Sequence, residues 1–196
     1  FPSISFSFPI KDVQIMLSYT NDISRPSYWS LRSNITYVNR YMYDKGNPFL
    51  MPSLSHNVSL GASYKWINLY VGYSHIMDDM INQTVAWSEE DPTIALLTLV
   101  NSPEYDKLVA SLNLSPTIGV WTPQLGLALQ QQWYNANTPV GVEKFNKPVG
   151  SITLRNNFNL PGGFIFDIAG DLTTKGHSTN AYMNEARFDV GASIYK

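Results

Sequence analysis

Cysteine is absent from the 196 residues, which removes disulfide staples, thiolate metal sites and a cysteine nucleophile together. Charge is scarce as well. Charged residues make up 14% of the chain, against roughly 25% in ordinary soluble domains. The net charge of −2 supplies no basic stripe, so no nucleic acid is expected as a partner. Long apolar runs are missing: the best candidate, residues 94–100, contains Thr98 and falls far short of the ~18 residues a membrane helix needs. What is plentiful is aromatic side chain, with 12 Tyr, 9 Phe and 5 Trp. A chain of this length suits one domain and can bury a core of ordinary size.

The apolar residues recur with a period of two, the signature of strands with two unlike faces. Ile4, Phe6 and Phe8 alternate with serines, and Val13, Ile15, Leu17 and Tyr19 follow the same rule. The clearest run is Val58, Leu60, Ala62, Tyr64 and Trp66 against Asn57, Ser59, Gly61, Ser63 and Lys65. Equivalent runs begin at Leu69, Leu108, Leu125, Ile152, Phe164 and Phe188. About nine strands are expected, most near the ten residues that a tilted membrane strand requires. Helical spacing is weak throughout, so the fold class is all-β.

The connections alternate between short and long. Turns are expected at 9–12, 66–68, 121–123 and 160–163, and long segments at 21–54, 87–104, 135–147 and 174–180. That segregation describes an antiparallel up-and-down meander, the plan of outer-membrane barrels with short turns at one end and long loops at the other. Charges at Lys65, Lys107, Arg155, Asp167, Asp171, Glu185, Arg187 and Asp189 are expected on the polar register. Aromatics at Tyr64, Trp66, Trp121, Trp133, Phe158, Phe164 and Tyr195 cluster near strand ends, as interfacial girdles do. A soluble sandwich with one wet face remains the competing architecture. Nine strands also sit awkwardly with a single-chain bacterial barrel, which uses an even number. Either one strand is miscounted or the chain is part of a larger barrel.

Arg25-Pro26-Ser27-Tyr28 is followed by Gly46-Asn47-Pro48-Phe49-Leu50-Met51-Pro52 and His56-Asn57. On these motifs the chain resembles the barrel of TonB-dependent outer-membrane receptors, within the outer-membrane β-barrel family. Pro2-Ser3 and Leu160-Pro161-Gly162-Gly163 fit the same resemblance. It departs from the family at Leu31-Arg32-Ser33-Asn34 and at Ser53. The resemblance implies a 22-stranded barrel of which residues 1–196 form a partial, C-terminal-side portion, without plug domain, TonB box or final strand. It further implies a location in the outer membrane of a Gram-negative bacterium. Implied partners are membrane lipid, the rest of the barrel and its plug, the TonB system through the parent protein, and an unidentified nutrient ligand.

Candidate sites follow from side-chain chemistry. Tyr28, Trp29, Tyr37, Tyr41, Tyr43 and Trp87 lie in expected outer loops and offer aromatic surface for a ligand. Arg155, Asp167, Asp171, Glu185 and Arg187 are expected to face the lumen. Pro26, Gly46, Asn47, Pro48 and Pro52 read as loop-building residues, because they fix or free the backbone. His56, His75 and His177 are scattered, and neither H-E-x-x-H nor G-x-S-x-G occurs. Asp78-Asp79 and Glu89-Glu90-Asp91 carry carboxylates without calcium-loop spacing. The chain is therefore expected to be no enzyme and to hold no metal or cofactor. The alternative is a self-contained small β-barrel or β-sandwich with a structural or surface-binding role.

Overall fold

The computed structural model describes residues 2–88, 90–91, 93–138, 141–179 and 182–196. Its principal sheet follows the path β1 (Ser3–Ile10), β2 (Val13–Ser24), β5 (Ser53–Tyr64), β6 (Ile67–Met77), β9 (Tyr105–Leu114), β10 (Trp121–Thr138), β12 (Val149–Leu160), β13 (Phe164–Thr173) and β16 (Arg187–Tyr195). Every neighbouring pair is antiparallel. These nine strands are the nine that alternation marks in the sequence. β1 and β16 are the two edges of the path and run in the same direction.

The seven further strands lie in the long connections. β3 (Ile35–Asn39) and β4 (Met42–Lys45) come from the β2–β5 connection, and β7 (Met80–Ala86) and β8 (Ala95–Asn101) from the β6–β9 connection. Together they form a separate four-stranded sheet in the order β3-β4-β8-β7, with β4 and β8 parallel. β11 (Gly141–Phe145) pairs with the outer end of β10, and β14 (Gly176–Thr179) pairs with β15 (Tyr182–Asn184). Residues expected to be loop at 35–39, 42–45, 95–101, 135–138, 141–145 and 176–179 are therefore strand. These elements are short and lack a lipid face, so no alternation announces them.

At the opposite end the connections are tight. Lys11 and Lys65 adopt positive φ in two of these turns, and Gly162 and Gly163 in a third; glycine is the residue for which that region carries no steric cost. The fourth turn spans 115–120, not 121–123 as expected. Trp121 to Pro123 belong to β10, and Pro123 is tolerated there because β9 has already ended on that side: pairing with β9 begins at Leu125.

The register sorts the sheet into two faces. Leu17, Leu60, Val71, Ala110, Leu129 and their neighbours share one face across five strands, and Leu127, Ile152, Leu172 and Phe188 continue it. Ser18, Ser59, Gly72, Val109 and Gln130 share the other. The apolar face is the uncovered one. Ile4, Phe6, Leu60, Leu129, Ile152, Leu172, Phe188 and Ile194 are all exposed. Among the described residues the buried apolar side chains are Leu50, Tyr105, Tyr134 and Val149, none of which belongs to that face. A sandwich would bury its apolar face against a second layer. This molecule leaves it bare, as a lipid-facing wall does.

Aromatic girdles bound the apolar band. Tyr64, Trp121, Phe158 and Phe164 stand at the short-turn end, with Trp121 stacked on Phe158 at 6.2 Å. Tyr19, Tyr73 and Trp133 stand at the other end. Trp121 and Trp133 lie on one strand; at ~3.3 Å rise and ~45° tilt, their spacing corresponds to about 28 Å along the membrane normal. That matches a hydrocarbon core. Tyr195, expected in a girdle, instead shares the polar face with Asp167.

Candidate functional site: the loop head and the polar wall

The motif residues turn out to be the fasteners of the loop head. Ser27 receives the Ser30 amide on its hydroxyl and the Leu31 amide on its carbonyl, closing a turn after Pro26. Gly46 passes so close to the Ser30 and Arg32 carbonyls that a Cβ there would lie 2.7 and 2.6 Å from them. Asn47 donates its side-chain amide to the Leu99 carbonyl at 3.0 Å and accepts the Phe49 amide at 3.0 Å. Asn101 completes the clasp from the second loop. Its side chain accepts from the Met51 amide at 2.8 Å and donates to the carbonyls of Met51 and Asp78 at 2.9 and 2.8 Å. The Gly-Asn-Pro segment thus joins the two longest connections into one body. Asn101 was not singled out in the sequence, and a lone asparagine carries no signal for such a role.

This clasp brings part of the aromatic set together. Tyr43 packs on Trp87 with ring centroids 4.5 Å apart, and Tyr37 meets Tyr43 edge-on at 5.8 Å. The rings come from β3, β4 and the end of β7, so the site exists only when both loops are assembled. Tyr37 remains 64% exposed, so the cluster is open to solvent on that side. Tyr28 and Trp29 form a second, separate patch, ring to ring at 6.4 Å, with the Arg32 guanidinium 5.7 Å from the Trp29 ring. Arg32 also pairs with Asp44. Tyr41 lies apart, under the Arg40 guanidinium at 4.4 Å. The six candidate aromatics therefore occupy three places: Tyr37 with Tyr43 and Trp87, Tyr28 with Trp29, and Tyr41 alone.

On the wall, Arg155, Asp167, Asp171 and Arg187 all fall on the polar face. Arg155 lines two open cavities of about 470 and 540 Å³ with Ser111, Asn113, Thr153, Asn157 and Asp167. Arg187 pairs with Asp189, and Asn157 donates to Asp167 at 2.7 Å. Glu185 departs from the expectation: it lies between β15 and β16, largely exposed, and binds Lys175 at 2.9 Å. It has the sequence parity of the β16 polar face, yet it lies before that strand begins at Arg187. Lys65 likewise sits in a turn, not in a strand.

The remaining titratable candidates are structural partners. His56 Nδ1 lies 2.8 Å from the Tyr19 hydroxyl, and His75 Nδ1 lies 2.9 Å from Asp106, which also accepts the Tyr73 hydroxyl at 2.6 Å. These groups form a polar row at the loop-end margin of the apolar face. Asp79 accepts the Tyr105 hydroxyl at 2.8 Å. Of the acidic run 89–91, Glu89 lies outside the described residues; Asp91 accepts the Thr93 hydroxyl at 2.7 Å.

Comparison with known proteins follows the same lines. Residues 1–196 match the outer membrane protein beta-barrel family, and the chain belongs to it. Its place is accordingly the outer membrane, in contact with lipid. No curated protein sequence matches the chain. Among solved structures it resembles the siderophore receptor PirA from Pseudomonas aeruginosa, with a TM-score of 0.55 and 11% identity over 100% of this chain. The match spans 42% of the PirA chain. At that identity the likeness concerns the fold.

Proposed function

We propose that this chain is a section of the barrel wall of a TonB-dependent receptor that takes up a nutrient ligand across the outer membrane. The observation that carries the reading is the joining of an aromatic loop head, Tyr37–Tyr43–Trp87, to a polar wall lined by Arg155 and Asp167. Recognition at the head and passage along the wall are the two halves of import. The proton-motive force, relayed by TonB to a plug, drives the passage, and no covalent chemistry is involved.

Strand direction supports the larger barrel. β1 and β16 run the same way, so closing an antiparallel barrel between them takes an odd number of additional strands. Nine plus an odd number is even, as single-chain outer-membrane barrels require. The self-contained alternative fares worse, because it leaves two free sheet edges in lipid, where unpaired backbone groups are costly.

The test uses the full-length protein that carries this chain. Outer membranes containing it are incubated with spent culture medium, washed, and the retained small molecules identified by mass spectrometry. The expected result is a species enriched by the native protein, lost in the Tyr43→Ala/Trp87→Ala variant, and imported by cells only while the proton-motive force is intact. Retention without import, or import that survives a protonophore, would refute TonB-driven uptake.

A further inference from the structure

The lipid-facing parity of the principal sheet is kept almost free of charge. Among the described residues of its nine strands, Asp106 on β9 is the single Asp, Glu, Lys or Arg of that parity. A charge there is costly wherever hydrocarbon meets it. Asp106 escapes that cost by its height. Its Cα partner is the girdle residue Trp133, and the row through both runs Asn21, His56, His75, Asp106, Trp133, one step outside the row of Tyr19 and Tyr73. The carboxylate therefore stands at the level where interfacial aromatics meet lipid headgroups.

Its orientation is fixed from one side. The Tyr73 hydroxyl donates to Oδ1 at 2.6 Å, and His75 Nδ1 lies 2.9 Å from the same oxygen. A carboxylate only accepts, so Nδ1 carries a proton. Among the described residues Oδ2 has no partner, and the side chain is 38% exposed. No lysine or arginine among them pairs with Asp106. Lys107 beside it has the opposite parity. Glu104, just before β9 begins, lies 3.9 Å from His75 Nε2 and adds negative charge instead of cancelling it. Among the described residues no group of three ligands could hold a metal ion. The counter-charge thus comes from whatever covers this face, and the apolar band directly below is covered by lipid. Trp133 supplies the second half of a cation site. It is exposed, direct cross-strand partners hold their Cβ atoms about 5 Å apart, and an indole face attracts a cation.

We propose that Asp106 and Trp133 form a docking site for a membrane lipid whose headgroup ends in a primary ammonium. The ammonium donates to Asp106 Oδ2 and rests against the indole. The acyl chains follow the apolar band below, over Leu108, Ala110 and Leu129. A quaternary ammonium fits less well, because it has no N–H to give to the carboxylate. The site rests on the apolar face meeting lipid, and is independent of what the loop head binds.

The test takes the full-length protein in detergent and adds dioleoyl lipids that differ only in headgroup: phosphatidylethanolamine, its mono- and dimethylated forms, and phosphatidylcholine. Lipids retained by the protein are counted by native mass spectrometry. Retention is expected to fall along the methylation series, about tenfold from first to last. Asp106→Asn keeps an acceptor for Tyr73 and His75 while removing the charge, and is expected to level the series with heat-resistant electrophoretic mobility kept. A flat series in the native protein overturns the proposal without any variant, and so does a graded series that persists in Asp106→Asn. Excess free ethanolamine is expected not to displace the lipid, nor EDTA to release it. Displacement would assign the site to a soluble amine and release to a bridging divalent cation, and either result overturns the lipid assignment.

Discussion

Leu127→Arg compared with Ala128→Arg isolates what the two faces of the sheet are for. The residues are adjacent on β10, so chain position, local propensity and strand are held constant. Leu127 lies midway between the girdle tryptophans, Trp121 and Trp133, and pairs with Leu112 on one side and Ile152 on the other. An arginine there meets the bilayer midplane, at a cost of about 2–4 kcal/mol. With a tenfold change for every ~1.4 kcal/mol, the folding equilibrium drops by roughly 30- to 700-fold. Ala128 points the other way, beside Ser111 and Ser151 in the open cavity of about 470 Å³, where a guanidinium keeps its water. Its cost is expected to stay below about 1 kcal/mol. Reversible urea unfolding of the full-length protein in lipid vesicles, followed by tryptophan fluorescence, reads the difference directly. Equal costs, or a greater cost at Ala128, would refute the assignment of faces.

Three further outcomes are expected. Asn101→Ala removes three hydrogen bonds, two to Met51 that join the long loops and one to Asp78 within its own loop, worth about 1 kcal/mol each; protease nicking within 25–52 should accelerate severalfold while heat-resistant barrel mobility on electrophoresis is kept. Trp87→Ala strips the ring that covers Tyr43 and should weaken retention of the medium-derived ligand about tenfold, with no change in the urea midpoint of the barrel. Gly176→Ala drives a methyl group into the Pro148 carbonyl, so the 174–178 segment should lose exchange protection while β12 and β13 keep theirs.

The wall was legible because lipid imposes one rule on every strand. A side chain at alternate positions must be apolar over about ten residues, and that constraint wrote itself nine times, from Ile4–Phe8 to Phe188–Ile194. The loop head obeys no such rule. β4 and β8 pair through Met42–Lys45 against Ala95–Thr98, segments 53 positions apart, and the Asn47 and Asn101 contacts that bridge the same loops leave no periodic trace. Pro123 misled for an intelligible reason: proline marks a turn unless the neighbouring strand has ended, and only the register reveals that β9 stops at Leu114. Glu185 misled because a polar residue two positions before Arg187 has the parity of the wall without belonging to it. The aromatic candidates were individually visible, yet their grouping was not; Tyr43 and Trp87 meet across 44 positions of sequence because a clasp elsewhere holds their loops together.

The central claim is that one face of the nine-stranded sheet meets lipid and the other lines an aqueous passage. Spin labels placed singly at positions 151 to 155 of β12 in the full-length protein, reconstituted in lipid, test it most directly. Collision with a water-soluble nickel chelate should dominate at 151, 153 and 155, and collision with oxygen dissolved in the bilayer at 152 and 154. A flat profile, or the opposite alternation, would contradict it.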